Sequence, residues 1–130
     1  MSGSAYQYFV VRCVPLVDRE EFVNVGIVLF ADAVDYLDAA FHVDAERLTA
    51  FAPGVDLDGV SASLQVVCDV CRGVAGSGRP SLPTPGKRFG WLSAPRSTVI
   101  QPGPVHGGVT DNPSVTLERL LARLVLPPAE

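Results

Sequence analysis

The first third of the chain has the hydrophobic pattern of three successive β-strands. Residues 6–14 (YQYFVVRCV) are rich in aromatic and β-branched side chains. Residues 22–31 (FVNVGIVLFA) are apolar at almost every position, which predicts a central strand, and Gly26 within it indicates a bulge or a close backbone approach. A turn at residues 32–35 precedes a third strand at residues 36–43. The three would form an antiparallel meander.

Helical signals follow the meander. Asp44 can cap a short helix that ends at Phe51, since a proline and a glycine follow. Asp56 or Asp58 can cap a longer helix that ends at Gly73. Its apolar side chains recur at helical spacing.

The second half begins with a loop rich in glycine and proline at residues 76–86, which either bridges two halves of the fold or stays mobile. Residues 89–94 and 98–101 predict two further short strands. Asn112 and Pro113 then begin a last helix, the clearest element of the sequence. Its apolar stripe consists of Leu117, Leu120, Leu121, Leu124 and Val125.

The predicted order βββ-αα-ββ-α indicates an α+β fold, a mostly antiparallel sheet of about five strands covered by about three helices. A length of 130 residues fits a single domain and leaves no room for two. The apolar fraction of 48% supplies a core, whereas the charged fraction is 18%, so we expect a globular protein.

The sequence shows neither a secretory signal nor an apolar run near the ~20 residues that cross a bilayer, so we expect a cytoplasmic protein without membrane contact. Three cysteines are a poor disulfide framework. Cys68 and Cys71 form a CxxC pair without a second pair to complete a zinc site, and core packing explains them best. No metal and no cofactor are predicted.

The net charge of −4 is unevenly distributed. Residues 1–65 hold ten acidic and three basic side chains, whereas residues 66–130 hold four and seven. Five basic residues lie between Asp69 and Asp111 without an intervening acid: Arg72, Arg79, Lys87, Arg88 and Arg96. Either the two halves attract each other across the fold, or the basic stretch binds an anionic partner.

The segment at residues 87–108 (KRFGWLSAPRSTVIQPGPVHGG) concentrates polar chemistry among glycines and prolines. Arginine with neighbouring hydroxyl groups can hold a phosphate or carboxylate, tryptophan can fill a partner's pocket, and histidine can exchange a proton. A structural hairpin tied by Arg96 is the alternative. No residue is assigned a catalytic role. The candidates for binding a partner or an anion are Asn24, Arg88, Trp91, Arg96, Ser97, Thr98, Gln101 and His106.

Asn24 also has a structural interpretation. It lies at the polar start of the second predicted strand, where a solvated strand end needs no further explanation. Its side chain could instead fix a neighbouring loop by hydrogen bonds.

Three stretches resemble the bacterial domain of unknown function 3037 family: YQYFVVRCVP, REEFVNVGIVLF and FGWLSAPRSTVIQPGPVHGG with the helix that follows. The resemblance covers nearly the whole chain and implies no established activity. It implies a small accessory subunit, because members of the family often lie beside genes for HipA-like kinases. The matching positions to test are Asn24, Arg96, Gln101 and His106.

The leading hypothesis is therefore an interaction protein that docks on a partner, for which the resemblance suggests a HipA-like kinase. The alternative is a phosphate- or nucleotide-handling enzyme that uses Arg96 and His106, although no phosphate-binding glycine loop or paired carboxylates support it. A nucleic acid is the least favoured partner, since the net charge is acidic and no recognition motif is present. An exposed edge strand could also let the protein form a homodimer.

Overall fold

The computed structural model describes residues 3–76 and 78–128. In this part of the chain one sheet contains five strands: β1 (Ser4–Cys13), β2 (Val23–Ala31), β3 (Tyr36–Phe41), β4 (Ile100–Pro102) and β5 (His106–Thr110). The four helices are α1 (Ala45–Phe51), α2 (Leu57–Cys71), α3 (Pro85–Ser93) and α4 (Pro113–Leu124). Among the described helices, none combines the length and apolarity that a membrane span requires. The structure thus confirms the α+β class and the antiparallel sheet.

The sheet is built around β1, which pairs antiparallel on both edges. Strands β1, β2 and β3 form the predicted meander. On its other edge β1 pairs first with β4, along residues 11–13, and then with β5, along residues 4–8. Between these two strands the Gly103 amide donates to the Val10 carbonyl at 2.8 Å. The segment from β4 to β5 is therefore one interrupted edge strand.

Helices cover both faces of the sheet, which explains why β2 is apolar at every position except Asn24. On one face, α1, α2 and α3 bury a core that includes Phe9, Val28, Leu48, Leu64 and Phe89. On the opposite face, α4 packs over Ile27 and Leu29 of β2. The apolar stripe predicted for α4 is the surface that makes this contact, with Leu117 and Val125 buried.

Gly26 marks both of the features that the sequence predicts for it. The register against β1 shifts between Gly26 and Asn24, so that Val25 is the extra residue of a β-bulge. The bulge turns Val25 to the same face as Val28. A Cβ atom on Gly26 would lie 2.1 Å from the Phe41 ring of β3, so the ring occupies the space that a side chain would need.

The strand predicted at residues 89–94 is wrong, because residues 89–93 form the C-terminal part of helix α3 and Ala94 follows its end. The Thr84 hydroxyl accepts a hydrogen bond from the Lys87 amide, and Pro85 occupies the first helical turn, which together start the helix. Phe89 and Leu92, three residues apart, then bury one face of α3 against the core. The predicted loop at residues 76–86 consequently ends at Thr84, with Ser77 outside the described residues.

The C-terminal strands also differ from their predicted bounds. The strand predicted at residues 98–101 begins later, at Ile100, where pairing with β1 starts. Strand β5 was not predicted, because His106–Thr110 contains two glycines and ordinary strand propensity is low there. The helix count is accordingly four and not three.

Candidate functional site

An apolar groove lies between the β1–β2 connection and the segment that joins α1 to α2. Its main chamber encloses about 500 Å³ and its floor continues into a second chamber of about 340 Å³. Both chambers are lined by Pro15, Leu16, Ala52 and Pro53, with Phe51 in the first and Val99 in the second. Leu16 is 57% exposed, Phe51 43% and Val99 37%, so three large apolar side chains face solvent here. Such a concentration of exposed apolar surface is typical of interaction sites.

Backbone turns and one hydrogen bond shape the surroundings of the groove. The Val14 amide donates to the Val99 carbonyl at 2.6 Å, which holds the start of the β1–β2 connection against the approach to β4. A short 3₁₀ turn at Val17–Arg19 then ends at Glu20, whose φ of 57° reverses the chain. On the other wall, α1 stops at Phe51 because Pro53 cannot continue the helix. The groove is thus formed by turns that the sequence specifies.

The charges around the groove are mainly acidic. The segments that contain its walls, residues 15–22 and 50–58, carry one basic side chain, Arg19, and five acidic ones: Asp18, Glu20, Glu21, Asp56 and Asp58. Of these acids, Glu21 and Asp56 line the groove, and Glu20 lines a neighbouring pocket. Arg19 is bound to Glu21 at 2.5 Å, which lowers the pKa of Glu21 through the hydrogen bond and the charge of Arg19. Arg19 is therefore already paired, and these two segments carry a net negative charge.

The sequence-predicted candidates in α3 and the loop after it contact groups of the chain itself. The Arg96 guanidinium lies 4.5 Å above the Trp91 ring and donates to the Trp91 carbonyl. Burial lowers the pKa of Arg96. Arg88 donates to the Leu82 carbonyl at 3.1 Å. These contacts match the structural role that the sequence leaves open for Arg96.

The remaining candidates lie on or near the strands of the sheet edge. Thr98 donates to the Ile100 carbonyl at 2.7 Å, and Gln101 donates to the Thr98 carbonyl at 2.9 Å. Ser97 is exposed and lines a pocket together with Gln101. His106 pairs with Tyr8 across the strands, with 5.4 Å between the ring centres. Arg96 and His106 are therefore held by different neighbours, and partner or anion binding by these residues stays a prediction.

Asn24 fixes a neighbouring element, as one of its two interpretations proposes. Its Nδ2 donates to the Leu124 carbonyl at 3.1 Å, although the two residues are one hundred positions apart. This bond satisfies an acceptor at the C-terminal end of α4 and anchors the helix to β2.

The basic stretch is largely occupied by contacts within the chain. Arg79 binds Asp69 at 2.6 Å, and Arg72 approaches Asp38 of β3 at 3.7 Å. Of these contacts, only Arg72–Asp38 joins the acidic half to the basic half, because Asp69 and the carbonyl groups that Arg88 and Arg96 contact lie in the basic half itself. Attraction between the two halves and binding of an anionic partner therefore both stay predictions.

The CxxC pair lies near the end of α2. Cys71 is 2% exposed, and burial raises its pKa to about 12. Burial also raises the pKa of the half-buried Cys68. Thiols in this environment stay protonated at neutral pH, which fits core packing. No group of three potential metal ligands occurs among residues 3–76 and 78–128.

A further pocket contains Arg12, a residue that is not among the candidates predicted from the sequence. This pocket encloses about 250 Å³ on the other side of the β1–β2 connection and is lined by Arg12, Val14, Val17, Glu20, Phe22, Ser97 and Gln101. The Arg12 guanidinium stacks 4.0 Å from the centre of the Phe22 ring. A lone arginine in a strand of aromatic and β-branched residues was the available signal. Leu16 and Phe51 of the groove gave none, because a single apolar residue in a loop is ordinary.

Comparison with known protein families shows a match to a family model. The family model described as a protein of unknown function (DUF3037) matches residues 8–125. Neither a curated protein nor a solved structure matches the chain.

Proposed function

The chain belongs to the DUF3037 family, and from this premise we propose that it is an accessory interaction protein whose apolar groove receives a basic, amphipathic segment of a partner protein. The observation that supports the proposal most directly is the exposure of Leu16, Phe51 and Val99 within one groove. Burying such anchors in a partner's surface is favourable, at roughly 25 cal/mol per Å² of apolar area.

The charges of the walls decide which kind of segment fits. Asp18, Asp56 and Asp58 are exposed, and within the described residues their carboxylates form no ion pair. An acidic segment would bring like charges together, whereas lysine or arginine beside the apolar anchors would complement this rim. The partner segment is accordingly apolar on one face and basic on the other.

A synthetic pair of peptides tests the surface directly. We expect an amphipathic leucine–lysine peptide to bind the protein in fluorescence anisotropy at physiological salt, and its leucine–glutamate counterpart not to bind. Leu16→Ser and Phe51→Ser should each weaken binding by about tenfold, because each removes an apolar anchor without altering charge.

Val34→Ser is the matched control, since Val34 is 50% exposed and lies in the turn between β2 and β3. Equal binding of the lysine and glutamate peptides would contradict the proposed occupant. Equal binding by Leu16→Ser, Phe51→Ser and the control would contradict the groove itself.

A HipA-like kinase is the partner class to test first, because the family resemblance suggests it. We expect the kinase, co-expressed with the chain, to co-purify with the wild type and with Val34→Ser but not with a Leu16→Ser/Phe51→Ser double variant. For comparison, the Arg96→Glu variant tests the surface around Arg96 that the sequence predicts as a binding site. A kinase that fails to co-purify with the wild type would exclude this partner class.

A further inference from the structure

Arg12 is an arginine without a polar partner in the described part of the chain. A guanidinium carries five N–H donors, and buried donors are nearly always satisfied in folded proteins. The Arg12 side chain nevertheless forms no hydrogen bond or ion pair with residues 3–76 or 78–128, and its Nε is buried. Its guanidinium stacks on the Phe22 ring. The arginine is thus positioned by an aromatic ring with its Nε covered, and the two Nη groups are the donors that remain for a ligand.

The position of Arg12 is fixed by the strand register. Arg12 is opposite Asn24 of β2 on one side and opposite Gln101 of β4 on the other, so three polar side chains form a row across the sheet. Gly103 lies beside the guanidinium, where a Cβ atom would be 3.2 Å from Nε. Because Gly103 has no side chain, the Arg12 guanidinium can occupy this space.

The pocket around Arg12 combines this cation with neutral polar groups and apolar walls. Ser97 and Gln101 supply a hydroxyl and an amide, while Val14, Val17 and Phe22 supply the apolar lining. We propose that this pocket binds a small aliphatic carboxylate, either a free acid or the C-terminal carboxylate of a peptide, through the Arg12 guanidinium. The proposal does not depend on the docking groove, which lies on the other side of the β1–β2 connection.

The size and charge of the pocket select the ligand. A guanidinium matches the two oxygens of a carboxylate in a planar, two-bond geometry. Glu20 lines the same pocket, so its negative charge opposes a doubly charged phosphate more strongly than a singly charged carboxylate. A volume of about 250 Å³ lies below the usual range for ligand sites, roughly 300–1,000 Å³, and favours a ligand of side-chain size over a nucleotide.

Nuclear magnetic resonance of the arginine Nε–H groups tests the proposal. We expect the Arg12 resonance to shift saturably with isovalerate and with N-acetyl-leucine, the mimic of a peptide C-terminus, but not with chloride at equal ionic strength. The carboxylate that binds more tightly shows whether the ligand is a free acid or the C-terminus of a peptide. Glu20→Gln should tighten binding by roughly threefold, because it removes a competing charge.

Arg12→Met should abolish the saturable response of neighbouring amides, whereas Arg119→Met, at an exposed arginine of α4, should leave it intact. If Arg12→Met does not fold, the carboxylate affinity of Glu20→Gln still tests the proposal. No saturable shift of Arg12 with either carboxylate would overturn the proposal, as would an unchanged affinity in Glu20→Gln. Tighter binding of phosphate than of both carboxylates would overturn the choice of ligand.

Discussion

At the scale of single residues, the sequence identifies positions whose backbone or packing role is local. Gly26 is informative because a glycine within an apolar strand has few explanations, and the structure shows a bulge beside it and a ring above it. Asn24 is less informative, since its partner is the Leu124 carbonyl at the far end of the chain. Arg12 could be noticed but not explained, because its pocket contains residues from β1, the β1–β2 connection and the approach to β4.

Two glycines give a matched test at this scale. Gly26→Ala should lower the free energy of unfolding by about 1–3 kcal/mol, because the new methyl group would meet the Phe41 ring and the Ala40 carbonyl. Gly90→Ala should raise it by roughly 0.5–1 kcal/mol, since nothing lies within 4 Å of the added atom and alanine favours a helix. Urea unfolding of both variants measures the difference. Equal stability of the two would contradict the described packing of Gly26.

At the scale of elements, hydrophobic periodicity predicts a helix when the pattern extends over several turns. Helix α4 has five apolar residues at helical spacing and an asparagine–proline start, and it is found where predicted. Helix α3 is short and contains Gly86 and Gly90, so the sequence of residues 89–94 is equally consistent with a strand. What decides in favour of the helix is the burial of Phe89 and Leu92 against α2 and the sheet, which is a tertiary contact. Strand β5 is likewise formed by pairing with β1 and not by its own composition.

The N-cap of α3 provides a test of the corrected element. Thr84→Ala should lower the free energy of unfolding by about 1 kcal/mol, because the Lys87 amide loses its acceptor at the start of the helix. Thr84→Ser should retain most of the stability, since serine provides the same oxygen. Thermal and urea unfolding measure both variants. A harmless Thr84→Ala would argue that α3 does not begin at this residue.

At the scale of the whole molecule, most arginines of the basic stretch contact groups within the fold, and one pair, Arg72–Asp38, joins the two halves whose charges differ. Arg72 and Arg79 contact acidic residues of β3 and α2, and Arg88 and Arg96 contact carbonyl groups. The sequence predicts the division but not this pairing, because the partners depend on which elements meet. Asp18, Asp56 and Asp58 are exposed and form no ion pair within the described residues.

The pH dependence of stability should reveal the Arg79–Asp69 pair. Hydrogen bonds from Gln65 and Arg79 lower the pKa of Asp69 below its ordinary value of 3.8. A lowered pKa in the folded state contributes stability above the unfolded value, and this contribution is lost as the pH falls through the folded value. Asp69→Asn should therefore be less stable than the wild type at pH 7, and the difference should shrink below pH 3.8.

Asp111→Asn is the control for this comparison, because Asp111 is exposed and forms no ion pair with the described residues. Its stability relative to the wild type should vary less with pH. A constant difference between Asp69→Asn and the wild type from pH 7 to pH 3 would contradict the role of the pair.

The central claim is that the groove beside Leu16 and Phe51 receives a basic, amphipathic segment of a partner. The most direct measurement replaces Phe51 with the photo-reactive residue p-benzoylphenylalanine and identifies the crosslinked partner peptides by mass spectrometry. We expect crosslinks from position 51 to peptides that are apolar and basic, and none from the same residue at position 34. Crosslinks from position 34 with none from position 51, or peptides of acidic character at position 51, would contradict the claim.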